Sequence, residues 1–192
     1  MLLLKTRLRR KLLYMLMKKP LVALVAVVLS AVALNISHAQ SGPLEDLANF
    51  PKTPVQILHG KKKDNPRVID AWIANTPARQ EQGLMFVQDL PQGQGMFFPL
   101  KKPKKMAMWM KNTYVELDML FIGENGAIDQ IIEHARPLST DIINSNKTLS
   151  AVLELKGGEA QRLEIKVGDR VNWTPPEGCD CVAPPPEVKK PT

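Results

Sequence analysis

Cysteine and histidine are scarce in this chain, and their scarcity excludes several kinds of site. The two cysteines, Cys179 and Cys181, both lie in the C-terminal tail, so packing without a disulfide is expected to hold the rest of the chain. His59 and His134 have no metal-ligand spacing with each other or with cysteine. The sequence also contains no Gly-x-Ser-x-Gly motif and no glycine-rich phosphate loop. We therefore expect no metal and no cofactor, and we assign no catalytic residue.

The sequence has no apolar run of the about 20 residues that a transmembrane helix needs. Residues 21–34 are apolar except for one serine, and a basic segment without acids precedes them. Ser37-His38-Ala39 then places small residues at the two positions that a signal peptidase recognises. These features predict a signal peptide, residues 1–39, cleaved after Ala39. The mature protein is expected to be periplasmic or secreted, with no stable membrane anchor. An uncleaved anchor is the alternative, and Met17 competes with Met1 as the start.

The part of the chain after residue 39 carries no excess of either charge. The whole chain has 26 basic and 19 acidic residues, and seven of the basic ones but none of the acidic ones lie in residues 1–39. The mature chain therefore has 26 − 7 = 19 basic and 19 acidic residues. A protein that binds nucleic acid needs a basic surface, so the sequence predicts no nucleic-acid partner. It does not indicate an oligomeric state.

Short apolar runs separated by turn signals make up residues 53–174, which are expected to form a single domain. Asn125-Gly126 between two such runs predicts a β-hairpin. Thr76-Pro77 predicts the start of a short helix that ends at Gly83. The basic segment 101–105 is expected to be a loop, because Pro103 argues against a regular central strand there. We predict a mainly β fold, an antiparallel β-sandwich or a partly closed barrel with one or two short helices. Residues 40–52 are expected to be a lead-in linker, and residues 175–192 an unpacked proline-rich tail.

Polar side chains interrupt the apolar stretch 108–126, and buried polar groups need partners. Asp118 is expected to share a strand face with Leu120 and Ile122. One interpretation makes Asp118 a buried acceptor that fixes loop 111–113, and the other makes it a general base or ligand anchor. The first is favoured. The residues expected as donors are Arg79, Lys111, Asn112, Thr113 and Arg136.

The neighbouring residues also allow two interpretations each. Lys111, Asn112 and Thr113 would hold a carboxylate, phosphate or sugar, or would satisfy their own loop backbone. Trp109 would stack on a ligand or belong to the core. Glu154 would pair with Asp118 for glycoside chemistry only if the fold brought the two together. The candidate ligand-binding residues are Arg79, Trp109, Lys111, Asn112, Thr113 and Asp118.

Several of these motifs resemble those of the domain of unknown function 192 (DUF192) family of bacterial and archaeal proteins, many of them exported. The resemblance implies a mainly β, sandwich-like fold and brings no accepted reaction, cofactor or catalytic residue. The tail, with Cys179-Asp180-Cys181, lies outside it. The residues that carry it are Thr76, Arg79, Gly83-Leu84-Met85, Gly95-Met96, Phe98, Trp109-Met110-Lys111-Asn112-Thr113, Leu117-Asp118, Phe121, Gly126, Leu153-Glu154-Leu155, Gly158 and Gly168-Asp169.

These observations predict an exported binding or accessory module for a small polar or cell-envelope ligand, and the expected partner is a small polar or anionic molecule. A small enzyme that uses Asp118 and Lys111 for acid–base chemistry is one alternative, and a protein-partner module is the other. A cleft lined by Arg79, Lys111, Asn112 and Asp118 would favour a ligand site. A closed network among the same side chains would favour the protein-partner module.

Overall fold

The computed structural model describes residues 42–59, 65–177 and 179 of the chain. This part contains nine strands, two short helices and a single 3-10 turn at Leu47–Asn49. In chain order the elements are β1 (Lys52–Leu58), β2 (Arg67–Ile73), α1 (Pro77–Gln82), β3 (Gln94–Lys104), β4 (Ala107–Met108), β5 (Leu117–Gly123), β6 (Ile128–Ala135), β7 (Ile143–Asn144), β8 (Leu149–Lys156), α2 (Glu159–Arg162) and β9 (Arg170–Trp173).

Seven strands form one curled sheet, and β4 and β7 form a small second sheet. The order in the large sheet is β6-β5-β8-β3-β2-β1-β9. Its neighbours are antiparallel except for β2 and β3, which are parallel and are connected through α1. The two outer strands, β6 and β9, approach each other at one end. There Ala127 forms a β-bridge with Arg170. The Val171 N–H also donates a hydrogen bond to Gly126 O at 2.8 Å. The predicted mainly β, partly closed barrel is therefore confirmed.

The large sheet separates two hydrophobic cores, because alternate residues of a strand point to opposite faces. What we call the first core contains Leu120, Ile122 and Leu153 and is completed by Ala160 of α2. What we call the second core contains Met119, Phe121 and Val152 with Leu84, Met108 and Met110 from the segments after α1 and around β4. The central strands β5 and β8 are therefore buried on both faces.

Local sequence signals predicted two of the connections correctly. The β5–β6 hairpin turns through Gly126, which has a φ of 78° and donates to Gly123 O. Helix α1 begins after Thr76, whose hydroxyl accepts a hydrogen bond from Arg79 N–H at 3.2 Å. It ends at Gly83, where φ is positive, as predicted.

The expectation of a loop at residues 101–105 was wrong, because β3 runs through both Pro99 and Pro103 to Lys104. Its register with β8 shifts between Pro99 and Lys104. The sheet therefore accommodates the proline in an irregular stretch, where a missing N–H interrupts no regular ladder.

Parts of the predicted linker and tail pack on the domain. Phe50 is buried. The Glu45 backbone N–H donates to the Gln82 side-chain oxygen, and the Gln82 side-chain NH2 donates to Glu45 O, both at 2.7 Å. On the C-terminal side, Thr53 donates through its hydroxyl to Thr174 O at 2.8 Å. Cys179 is disulfide-bonded and packs against the first core. Thr174 is the last residue of the predicted domain, and within the predicted tail Cys179 packs on that domain, while Cys181 and Pro184–Pro186 lie outside the described residues.

No helix in the described part of the chain is both long and apolar enough to cross a bilayer. The predicted signal peptide, residues 1–39, lies outside the described residues.

Candidate functional site

Asp118 lies in the first core and is a structural acceptor. Its side chain is fully buried on the face of Leu120, as its strand position predicted. One carboxylate oxygen accepts the His134 backbone N–H and the other accepts the Ala160 backbone N–H, both at 2.9 Å. The first bond stabilises the left-handed backbone of His134 in β6, where φ is 53°. The second bond stabilises the first turn of α2. They leave neither oxygen directed at a ligand.

The donors expected for Asp118 were wrong, because both of its described donors are backbone amides. Within the described structure, the side chains of residues 79, 111–113 and 136 make no hydrogen bond to Asp118, and Asp118 does not tie down loop 111–113. The favoured interpretation of a buried acceptor therefore fits, but the segments that it fixes are β6 and α2.

Arg79 is also occupied within the protein. Its guanidinium makes two hydrogen bonds to Glu45, at 2.7 and 3.0 Å, and a third to the Asn75 side chain at 2.9 Å. It lies 5.0 Å from the centre of the Phe50 ring. The hydrogen bonds from Arg79 lower the pKa of the Glu45 carboxyl. Arg79 therefore attaches the N-terminal segment to α1 and does not point into a cleft.

Residues 111–113 form a tight turn in which Thr113 N–H donates to Met110 O at 3.0 Å. Asn112 occupies the left-handed region at φ 57°, which asparagine tolerates better than most residues. Lys111 is exposed on this turn. The geometry fits the interpretation in which the loop satisfies its own backbone.

Strained backbone concentrates around this turn. Phe86 has a φ of 67° and Leu138 a φ of 62°, which is rare for bulky residues. Phe86 N–H donates to Asn112 O at 2.8 Å, and Leu138 N–H donates to Thr113 O at 3.0 Å. Three segments distant in sequence thus hold each other in costly conformations, a feature that often accompanies functional sites.

Glu154 lies on the opposite face of the sheet from Asp118. In the β5–β8 register Asp118 is opposite Leu155, and Glu154 is opposite Met119. Directly paired residues share a face, so Asp118 points into the first core and Glu154 points to the side of the second core. The register therefore keeps these two carboxylates from forming the pair that glycoside chemistry would need.

Glu154 lies in the wall of a cavity of about 240 Å³ beside α1. The cavity is bounded by the end of α1 and the residues after it, by β3, and by the segment around β4. Its lining is largely apolar and contains three methionines and two aromatic rings. The described lining residues are Gln80, Glu81, Gln82, Gly83, Leu84, Met85, Phe98, Met106, Ala107, Met108, Trp109, Thr113 and Glu154.

Gly83 brings the end of α1 close to the cavity floor. Its φ of 49° belongs to the region that favours glycine. A side-chain carbon at this position would lie 3.3 Å from the tip of Phe98 and 4.0 Å from Glu154 Oε2. The absence of a side chain at residue 83 therefore lets the chain after α1 lie close to the ring and the carboxyl without a tight contact.

The Glu154 carboxyl is buried without compensation. The residue is 4% exposed, and Oε2 is the buried side-chain atom of the described structure that has no hydrogen-bond partner. Burial raises the pKa of this carboxyl from 4.5 to about 8, because a low-dielectric environment disfavours the charged form. Glu154 is therefore mostly protonated at neutral pH and offers an O–H donor as well as an acceptor.

The cavity contains two of the six candidate ligand-binding residues, Trp109 at its exposed rim and the buried Thr113. The other four, Arg79, Lys111, Asn112 and Asp118, are not in its described lining. Glu154 was missed as an independent site. Its signal was a lone acid in the apolar run Leu153-Glu154-Leu155, where a strand buried on both faces leaves no solvent-facing position.

A second, neighbouring depression has a different charge. It is lined by residues of the α1 start and by three lysines of β3, Lys101, Lys102 and Lys104, and Gln80 lines both depressions. Within the described structure no group of three or more histidine, cysteine, aspartate or glutamate side chains is placed to hold a metal ion.

Comparisons with known proteins agree with this fold. A protein of Sinorhizobium meliloti 1021, described as a candidate transcription regulator, is 36% identical with a TM-score of 0.62 over 65% of this chain and 95% of that one. A protein of Novosphingobium aromaticivorans DSM 12444, described as of unknown function, is 32% identical with a TM-score of 0.63 over 71% of this chain and 95% of that one. No protein with a curated description matches the chain.

The family comparison covers the folded part of the chain from the end of β1 to the end of β9. Residues 58–173 match the model of DUF192, a family described as uncharacterised, and this match spans more than half of the 192 residues. The motifs that suggested the family, from Thr76 to Gly168-Asp169, all lie inside the matched range. The chain therefore belongs to the DUF192 family.

Proposed function

We propose that this protein is a binding module for a small molecule that has an apolar body and one polar group. The observation that carries the proposal is the buried Glu154 carboxyl, whose Oε2 has no hydrogen-bond partner among the described residues, in the wall of a largely apolar cavity. A buried polar group without a partner costs stability. A ligand that supplies the missing hydrogen bond would recover that cost, and the cavity walls would bury its apolar part.

The lining of the cavity supports binding more than acid–base catalysis. Its described residues include no histidine, cysteine, serine or lysine. The acid–base pair considered from the sequence, Asp118 and Lys111, has no shared cleft, because Asp118 is fully buried and bonded to two amides. The Glu154 carboxyl would therefore have to act without a second buried titratable group.

We also propose that the protein works outside the cytoplasm, in the periplasm or as a secreted protein. The support is the sequence of residues 1–39, where a basic segment, an apolar run and Ser37-His38-Ala39 follow in the order of a cleavable signal. A ligand from the cell envelope or its surroundings would then be available to the cavity.

Two-dimensional NMR of the protein with a panel of small apolar alcohols, amides and amines tests the binding proposal. Binding should shift the resonances of Gly83, Thr113 and the Trp109 indole. Ala107→Trp should abolish these shifts, because Ala107 is an exposed residue of the cavity rim. Ala78→Trp is the matched control, since Ala78 is exposed on α1 outside the described lining. Shifts that Ala107→Trp leaves intact, or no shifts with any compound, would contradict the proposal.

A further inference from the structure

We infer that the polar group recognised in the Glu154 cavity is an organic cation, an ammonium or a guanidinium attached to a small apolar body. This inference rests on the proposed binding function and specifies its ligand. It differs from the anionic ligand expected from the sequence, which depended on Arg79 and Lys111.

The ionisable side chains in the described lining of the cavity are all acidic. The ionisable side chains in its described lining are Glu81, on the exposed side of α1, and Glu154. The lining residues of β3, β4 and the 109–113 segment include no titratable group. Arg79, the nearest arginine in sequence, is bound to Glu45 and Asn75. An anionic ligand would therefore meet two carboxyl groups and no basic side chain in the described lining, whereas a cation would pair with the Glu154 carboxylate once its proton has left.

The uncharged walls also suit a cation. Trp109 is 40% exposed at the rim, and Phe98 is buried, so two aromatic rings line the cavity together with Glu154. Aromatic faces attract ammonium and guanidinium groups, tryptophan most strongly. Met85, Met106 and Met108 add polarizable thioethers, which tolerate the mixed apolar and cationic character of such a ligand.

The size of the cavity separates an organic cation from a metal ion. Three thioethers and a carboxylate are possible ligands for a soft metal. A cavity of about 240 Å³ is much larger than a bare ion, and it is slightly smaller than the usual sites for drug-sized ligands. A compact amine with one ring fills such a space and uses both the aromatic walls and the carboxyl.

Binding of a cation has a proton-linked consequence. The free Glu154 carboxyl holds its proton up to about pH 8 because burial disfavours its charged form. A bound ammonium stabilises the carboxylate, so the Glu154 proton leaves to solvent when the ion pair forms. Below pH 8, affinity for the cation therefore increases with pH, up to tenfold per unit, and about one proton is released per ligand.

Three compounds with the same phenylethyl body test the inference: 2-phenylethylammonium, 2-phenylethanol and 3-phenylpropionate. Calorimetry at pH 6.5 in two buffers with different ionisation enthalpies measures affinity and proton release together. The ammonium compound should bind at least tenfold more tightly than the alcohol and release about one proton, and the carboxylate should not bind. Glu154→Gln should abolish both the preference and the proton release while the alcohol still binds.

The outcomes separate the inference from the proposed function. The alcohol or the carboxylate could bind as tightly as the ammonium compound or more tightly, and Ala107→Trp could block that binding. This result would contradict the cation inference but agree with the proposed binding function. Binding of Ag⁺ without the ammonium compound would likewise replace the organic cation by a metal. If none of these probes bound, the inference would fail, and the NMR panel would decide the proposed function separately. Glu81→Gln should reduce affinity only slightly, because its side chain is exposed.

Discussion

Two acidic side chains on neighbouring strands are buried in this protein, and their surroundings differ completely. Asp118 on β5 accepts two backbone N–H bonds at 2.9 Å in the first core. Glu154 on β8 points to the opposite face, where Oε2 has no hydrogen-bond partner among the described residues and a cavity begins. The two residues are one register position apart across the same strand pair, so the alternation of strand faces alone separates them.

The difference shows how to tell a structural acid from a candidate site. A buried carboxylate with two amide donors stabilises the conformations that it joins, here β6 and the start of α2. A buried carboxyl with no donor stabilises nothing within the folded protein. A ligand would supply the missing partner, since functional groups often occur at a cost to stability.

The largest expected effect is a pH dependence of the free energy of unfolding, which comes from Glu154. Its carboxyl has a pKa of 4.5 in the unfolded chain and about 8 in the folded protein. Between these values the folded protein binds more protons, so stability is lost as pH rises from 4.5 to 8. At about 1.4 kcal/mol per pKa unit, the loss is up to roughly 5 kcal/mol.

Denaturant unfolding between pH 5 and pH 9 measures this loss. Glu154→Met, which keeps an unbranched side chain but cannot ionise, should remove it and be more stable than the parent at pH 8. The difference between the two proteins is the diagnostic quantity, because all other titrating groups are shared. Parallel curves for parent and variant would show that Glu154 is compensated, and the contrast with Asp118 would disappear.

The second expected effect is a loss of stability on substitution of Asp118, whereas substitution of Glu154 should increase stability at pH 8. Asp118→Asn keeps the shape but presents an NH2 group to one of two N–H donors, which leaves a buried donor unsatisfied. We expect a loss of about 1–3 kcal/mol in the free energy of unfolding. Hydrogen exchange should also become faster at Ala160 and His134, the donors to the carboxylate. A variant as stable as the parent would make Asp118 a candidate site residue again.

The sequence predicted the strand face and the burial of Asp118 but not its hydrogen-bond donors. Period-two alternation placed Asp118 on the face of Leu120 and Ile122, and its burial followed. Its donors could not be predicted, because they belong to β6 and α2, which come close only when the sheet curls. Side-chain donors were expected where backbone amides are the donors.

The cavity beside Glu154 could not be predicted for the same reason. The run Leu153-Glu154-Leu155 indicates a buried acid, but nothing local shows that Gly83 and Met106 approach it. In contrast, the Asn125-Gly126 hairpin and the Thr76 cap depend on neighbouring residues, and both were predicted correctly. Contacts between distant segments thus mark the limit of the sequence-based interpretation.

A smaller effect concerns the wall that separates Glu154 from solvent. Gly83→Ala adds a carbon 3.3 Å from Phe98 at a φ of 49°, and we expect a loss of about 1–3 kcal/mol. Gly93→Ala is the matched control, because its φ is also positive at 75° but no atom lies within 4 Å of the added carbon. If both variants lost the same stability, backbone strain alone would explain Gly83, and a role in shaping the cavity would be excluded.

The smallest expected effect concerns residues 1–39. Their removal should leave the stability differences of the Asp118 and Glu154 variants unchanged, because both residues lie in the domain that begins near Pro43. Intact-mass measurement of the exported protein should find Gln40 at its N-terminus. A mass that retains residues 1–39 would indicate an anchored protein and contradict the proposed cleavage.

The most direct test of the contrast is a carbon-13 NMR titration of the Glu154 side-chain carboxyl in the free protein. The account predicts a midpoint of about pH 8, because the carboxyl is buried without a partner. It also predicts a fall in that midpoint when 2-phenylethylammonium is bound. A midpoint near the ordinary value of 4.5 in the free protein would mean that water or another group already satisfies the carboxyl, and it would contradict the account.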